Sequence, residues 1–338
     1  MLTILNDIPP ALYDVEVSRL WEVLPESTLI HLSGRKKEPL FVSVLLHGNE
    51  ETGLLAIQSL LRDFQTRELP RALSIFIGNV KAARFHMRRL DGQPDFNRIW
   101  LDGNTPEHQM MAKVIDEMRR RNVFASIDIH NNTGINPHYA CINRLENSYL
   151  QLATLFSRTV VYFIRPEGVQ SSAFANLCPS VTLECGLPAQ QFGVDHARSY
   201  LEACLNLVNI PMHAVASSDI DLFHTVAIVK VPASATLSFG QGTGDFQFIA
   251  DLDQLNFSEL PANTRFGKMT DSSNFRLEVS GEHGENLGRR YFQYRDNEMR
   301  TAMPFMPSML TLDERVIRQD CLCYIMERLD PKTFQPRH

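Results

Sequence analysis

The sequence has no apolar run approaching the roughly 18–20 residues that would cross a bilayer as a helix. Met1 to Asp7 has no basic region followed by an apolar core, so a secretory signal is not expected. Basic residues are scarce: 33 Lys and Arg stand against 39 Asp and Glu, giving a net charge of −6. A general nucleic-acid binder, or a partner of anionic membranes, needs the opposite balance. An anionic small molecule stays admissible, because a site can be locally positive. The cysteines are few for 338 residues, and none forms a Cys-x-x-Cys pair: Cys141, Cys178, Cys185, Cys204, Cys321 and Cys323. A disulfide scaffold is excluded at this size, and reduced thiols in a cytoplasmic protein are expected. Cys321-x-Cys323 suits a strand with both thiols on one face, or plain core packing, better than a metal pair. There is no internal repeat and no low-complexity tail.

What is present is ordinary material for a core, with 44% apolar and 21% charged residues. The length favours two domains. Up to about residue 207, apolar runs alternate with helical periodicity. Strands are expected at 41–46, 73–77, 123–129, 159–164 and 181–183, with helices near 50–65, 106–121, 146–157 and 189–207. Leu20-Trp21-Glu22-Val23-Leu24 suits part of a helix. Ser33-Gly34-Arg35-Lys36-Lys37-Glu38-Pro39 suits a charged turn, as a solvated hairpin or loop. The helix at 106 opens with Thr105-Pro106-Glu107, an N-cap, a proline and an acid. Residues 81–98 are polar and Arg-rich without a period, which marks a long loop of the kind that carries function.

The order strand, helix, strand implies an α/β fold: a mostly parallel mixed sheet with helices on both faces. From about 220 the period changes, and short apolar runs alternate with turns at Phe223–Val231, Gln247–Ala250, Phe275–Val279 and Tyr291–Tyr294. That is the pattern of a smaller C-terminal antiparallel β domain. The expected division is 1–215 for the α/β domain and 216–338 for the β-rich one, the latter covering or narrowing the entrance to a site.

The stretch Phe41-Val42-Ser43-Val44-Leu45-Leu46-His47-Gly48-Asn49-Glu50 brings the first chemistry. A buried strand runs into a His and an acid three apart, with a Gly that lets the chain turn. His130 ends a second strand and Glu184 a third, and in open α/β sheets ligands bind at that edge. Two histidines and a carboxylate form a standard catalytic zinc set. A further carboxylate would be the general base. The plain alternatives are a hydrogen-bonded corner for His47 and Glu50, a turn cap for His130, and an ion pair with a loop arginine for Glu184. Asp128, two residues before His130 on the same strand face, could orient its ring.

Four segments in order, His47-Gly48-Asn49-Glu50, Asp95-Phe96-Asn97-Arg98, Asp128-Ile129-His130-Asn131-Asn132-Thr133 and Leu183-Glu184-Cys185-Gly186, resemble the succinylglutamate desuccinylase/aspartoacylase family, which is related to zinc carboxypeptidases. The resemblance covers about residues 40–190. It implies one Zn2+ per chain held by His47, Glu50 and His130. Glu184 would be the base and would also protonate the leaving amine. Arg89, or its neighbour Arg88, would stabilise the oxyanion. Asn97 and Arg98 would bind a substrate carboxylate, for which the guanidinium fork is suited. Tyr291, or Tyr294, would line the pocket.

The implied partner is an N-acyl amino acid or a related small amide, with no nucleic acid and no membrane; members of the family often associate into homo-oligomers. Aspartate-specific members carry a second substrate-binding Arg about ten residues before the base, near Phe174 here, which argues for a more neutral acyl or amine group. Two other readings compete. One is a zinc carboxypeptidase acting on peptides, disfavoured by the short gap from Glu50 to His130. The other is a non-catalytic metal-binding protein on the same fold, disfavoured by Glu184. Arg98 could instead brace its loop. His138 and Tyr139 suit packing or rim positions, and Arg119-Arg120-Arg121 a solvated helix end.

Overall fold

The structure is a computed structural model and describes residues 2–270 and 274–336. The chain divides into two compact units, residues 2–131 with 138–222, and residues 132–137 with 223–336.

The first unit contains β1 (Thr3–Leu5), β2 (Thr28–Leu32), β3 (Gly34–Val44), α1 (Thr52–Asp63), β4 (Leu69–Ile77), α2 (Val80–Ala83), α3 (Pro106–Arg120), β5 (Ala125–His130), β6 (Tyr139–Ile142), α4 (Asn147–Thr154), β7 (Thr159–Tyr162), α5 (Gln170–Phe174), β8 (Ser180–Glu184) and α6 (Gln191–Asn206). Its strands lie in the order β1-β2-β4-β3-β5-β8-β6-β7. The central four, β4, β3, β5 and β8, are parallel. β2 and β6 run antiparallel to β4 and β8. Every residue of β5 and β8 is buried, as parallel strands covered on both faces require.

Alternation along β3 sends Phe41 to one face, where it joins Phe76, Trp100 and the α3 residues Met111, Val114 and Met118. Val44 faces the other way with Ile129, and α1 packs there so tightly that a Cβ on Gly53 would lie 2.8 Å from Val44. The expected sheet with helices on both faces is therefore present. Thr105 caps α3 as expected, its side chain accepting from the His108 amide.

Some elements differ from the sequence reading. The charged stretch from Gly34 to Glu38 is no loop. It extends β3, with a register shift between Lys36 and Leu40 against β4. Arg35 and Lys37 face solvent, and a Cβ on Gly34 would sit 2.3 Å from the Arg71 carbonyl carbon. The helix expected around Leu20 to Leu24 is present as a 3-10 helix over Val17–Glu22. Strands β1, β2 and β6 are additional.

The second unit holds β9 (Asp221–Lys230), β10 (Leu237–Phe239), β11 (Phe246–Phe248), β12 (Arg265–Met269), β13 (Glu278–Gly281), α7 (Gly288–Tyr291), β14 (Phe292–Arg295), β15 (Glu298–Thr301), β16 (Met306–Ser308), α8 (Glu314–Gln319) and β17 (Cys323–Arg328). β9 pairs antiparallel with β13 and β17, and β17 with β16. A separate five-stranded sheet runs β10-β11-β12-β15-β14, antiparallel except for its first pair. All six cysteines are buried, and burial pushes the Cys323 thiol well above its ordinary range. Among the described residues no helix is long and apolar enough to cross a membrane.

One buried cation ties the first unit together. Arg71, 2% exposed, donates to the Glu38 carbonyl at 2.9 Å and to the Leu207 carbonyl just past α6 at 3.0 Å. Its guanidinium lies 3.5 Å from the centroid of Phe124. Leucine there would orphan buried carbonyls, at a cost of about 1–3 kcal/mol. Arg71→Leu is expected to lower the urea midpoint accordingly; an unchanged midpoint would show that Lys36, which also reaches Leu207 at 3.1 Å, suffices alone.

Candidate metal centre

The site begins where β3 ends. Leu45, fully buried, takes a positive φ of 54°, a conformation costly for a branched side chain. Its carbonyl accepts from the Asn79 amide at 2.6 Å, and the Gly78 amide bonds Val44. The sharp turn expected of Gly48 is thus made by Leu45. Gly48 has another role: a Cβ there would stand 2.2 Å from the backbone nitrogen of Ala83. The Gly48 amide donates to the Arg88 carbonyl at 3.2 Å, which ties the turn to the 81–98 loop.

This turn, the end of β5 and that loop bring together five side chains. Glu50 is 5% exposed and lies between two imidazoles. Its Oε1 is 2.8 Å from His47 Nδ1, and its Oε2 is 2.6 Å from His130 Nδ1. Each ring has a second carboxylate behind it. Asp95 Oδ1 is 3.0 Å from His47 Nε2, and Asp128 Oδ2 is 2.7 Å from His130 Nε2. Ser43 donates to the other oxygen of Asp128 at 2.6 Å. Arg88 donates to Asp95 Oδ2 at 3.0 Å and approaches Glu50 Oε1 at 4.0 Å.

The pattern states what the cluster lacks. A neutral imidazole has one N–H. If Nε2–H serves Asp95 or Asp128, each Nδ1 presents a lone pair to a Glu50 oxygen that also presents lone pairs. Facing acceptors of this kind cost about 1–3 kcal/mol each when buried. Two added protons relieve the conflict, and so does one divalent cation between neutral rings. The protein's own electrostatics point the same way. Burial alone would raise the pKa of Glu50, yet His47 and His130 hold it well below the usual carboxylate range. Burial would likewise raise Asp95, but His47 and Arg88 hold it low. Burial would lower His130, but Asp128 and Glu50 hold it well above the usual imidazole range. One donor atom from each of His47, Glu50 and His130 lies within 4.8 Å of the others, a group that could hold a metal ion.

Glu184 ends β8 directly opposite His130 in the parallel register, and the Cys185 amide donates to the His130 carbonyl at 3.0 Å. It is 5% exposed. Asn97 is also brought in: its amide nitrogen is 3.2 Å from His130 Nε2, and its oxygen accepts from the Gln170 amide at 2.9 Å. Arg98 follows it, half-buried, and donates to the Asn97 carbonyl at 2.8 Å. Arg89 is turned elsewhere. It braces its own loop by donating to the Gln93 carbonyl at 2.7 Å, so Arg88 is the arginine at the cluster.

Tyr291 lies in the core of the second unit, 1% exposed, with its hydroxyl donating to Glu327 at 3.1 Å. The Tyr294 hydroxyl accepts from the Leu277 amide. Phe174 is fully buried, stacked on Phe41 at 4.4 Å. Arg119 and Arg120 pair with Asp116 and Glu117 on the exposed side of α3. Asp95 had no assigned part in the sequence; the signal available was an acid two residues before Asn97 in a loop otherwise rich in arginine.

No protein-family model matches the chain, and no curated protein does. Solved structures do. Succinylglutamate desuccinylase from Vibrio parahaemolyticus matches at 13% identity and a TM-score of 0.57, over 87% of this chain and 82% of that one. Succinylglutamate desuccinylase/aspartoacylase from Rhodobacter sphaeroides matches at 13% and 0.59, over 88% of each. Murine aminoacylase 3 matches at 15% and 0.59, over 88% and 97%. At these identities the likeness is one of fold. The structural neighbours are thus largely of the family that the four sequence segments resemble.

Asp128 is expected to fix the His130 ring for metal binding. Asp128→Asn should weaken affinity for a divalent metal by about 10–100-fold in a chelator competition, the usual effect of removing such a support. Unchanged affinity would mean that Asp128 serves only to anchor Ser43.

Proposed function

We propose that this chain is a zinc-dependent amidohydrolase that removes the acyl group from an N-acyl amino acid or a related small amide. The observation that carries this reading is the convergence of His47, Glu50 and His130, with Glu184 opposite His130 on the next strand. The fold shared with desuccinylases and an aminoacylase supports it. Two imidazoles and one carboxylate, each imidazole backed by its own carboxylate, form a donor set suited to a zinc ion with a coordination position left for chemistry. Zinc held there supplies a Lewis acid and eases deprotonation of the attacking water.

The chain's own residues would do the rest. Glu184 takes a proton from the water as its oxygen bonds to the amide carbon. The same carboxyl then passes the proton to the amine nitrogen as the C–N bond breaks, leaving a carboxylate and a free amine. Arg88, rather than Arg89, would stabilise the oxyanion, since its guanidinium approaches Glu50 while Arg89 donates to Gln93. Asn97 and Arg98 would hold the substrate carboxylate.

Purified protein should carry about one zinc per chain, by analogy with catalytic sites of this donor type. Glu184→Gln is expected to keep the zinc and lose about 10²–10⁴ of kcat on N-acyl amino acids. A panel of N-acyl amino acids and short peptides decides the substrate class. Turnover of peptides alone would make the chain a carboxypeptidase, and zinc without turnover would make it a metal-binding protein.

The arginines are separated by a second experiment. Arg88→Ala should cost about 10²–10³ in kcat, the scale of a lost oxyanion donor. Arg89→Ala should cost far less, and the reverse ranking would return the role to Arg89.

A further inference from the structure

The residue that follows His130 is a buried side chain to which the hydrolytic reading gives no part. Asn131 is 5% exposed. Its backbone amide donates to Glu50 Oε2 at 3.3 Å. Its carboxamide spans two other segments. Oδ1 accepts from the Thr52 amide at 3.3 Å, and Nδ2 donates to the Gly186 carbonyl at 3.0 Å. Three stretches of chain thus meet on one residue: the turn that carries Glu50, the end of β5 with His130, and the end of β8 with Glu184.

Each arm of the carboxamide answers a local need. The first amides of a helix have no partner within it. Glu51, at the N-cap of α1, gives no side-chain cap. Asn131 fills that place from another strand, two residues after Glu50. At the other arm the ladder between β5 and β8 is ending. Its register pairs His130 with Glu184, and the Cys185 amide donates to the His130 carbonyl at 3.0 Å. The chain then turns at Gly186 with φ of +71°, a conformation that suits glycine. Asn131 holds the carbonyl at that turn.

The packing around the turn is close. A Cβ on Gly193 of α6 would lie 2.6 Å from the Cys185 carbonyl oxygen and 3.7 Å from Thr52 Cγ2. The exit from β8 and the start of α1 therefore lie against the same residue of α6. Such contacts set distances, whereas a hydrogen bond also sets the direction of the peptide plane. A general base needs that direction, because it must reach the water proton within one hydrogen bond.

We propose that Asn131 is a positioning residue whose carboxamide sets the place of Glu184 relative to Glu50 and His130 by tying the turn after β8 to the start of α1. This rests on the deacylase reading above for the role of Glu184 and adds to it the residue that holds the base in register with the metal ligands.

Aspartate separates the two arms. It keeps an acceptor for the Thr52 amide, and so the cap of α1, but turns an oxygen instead of an N–H toward the Gly186 carbonyl. Asn131→Ala removes both arms. Zinc-loaded wild type and the two variants are compared in turnover of N-acyl amino acids, in zinc content and in amide hydrogen exchange. Asn131→Asp is expected to lower kcat by about 10–100-fold, with KM within about twofold, the scale of a base displaced by about 1 Å. Zinc content should be unchanged, and exchange over residues 185–190 should quicken in both variants. In a Glu184→Gln background the same substitution should cost about twofold or less, because the group it positions is already gone. A loss as large in that background as in the wild type, or a loss of zinc with the activity, would overturn the assignment to the base. Unchanged exchange over 185–190 in both variants would overturn the tie itself, whatever the activity. A wild type that hydrolyses none of the panel, with exchange quickened in both variants, would overturn the deacylase reading and leave the tie standing.

Discussion

The shared carboxylate of Glu50 is the constraint on which the site depends. Two ring nitrogens approach it, each from an imidazole whose other nitrogen faces a further carboxylate. Such a chain of acids and imidazoles is unstable as a neutral-ring arrangement and needs positive charge at its centre. Much of the local backbone serves to maintain it. Leu45 accepts a left-handed conformation, Gly48 gives up its side chain to approach Ala83, and Ser43 anchors Asp128. These are features that cost stability unless the cluster they create is occupied or used.

The grouping of His47, Glu50 and His130, with Glu184 beside it, was legible in the sequence for a geometric reason. His47 and Glu50 follow one apolar strand, His130 and Glu184 end two others, and parallel register carries such residues to one sheet edge. A β-rich strand pattern is a local signal, so its end points can be read without the fold. Asp95 and the choice between Arg88 and Arg89 could not be read that way. They lie in a loop with no period, where adjacent arginines point in different directions: Arg88 to Asp95 and Arg89 to the Gln93 carbonyl. The charged extension of β3 was hidden because Arg35 and Lys37 look solvated, as they are, while their backbone still pairs with β4. Tyr291 was singled out with Tyr294 only through the family resemblance; its hydroxyl donates to Glu327, 36 residues further along the chain, a partner that no local pattern announces.

The strand ends bring together a His-Glu-His cluster that could hold a metal ion, and an aromatic core packs behind them. Phe174 occupies the position where an aspartate-directed relative would be expected to place an arginine. It stacks on Phe41 and meets Trp100 edge-on at 5.9 Å, beneath the segment that leads to β8. A guanidinium in that place would be desolvated among aromatic carbons without a carboxylate to pair with, a cost of several kcal/mol. The packing of Phe174 against Phe41 on β3 therefore leaves no place for a cation at this position.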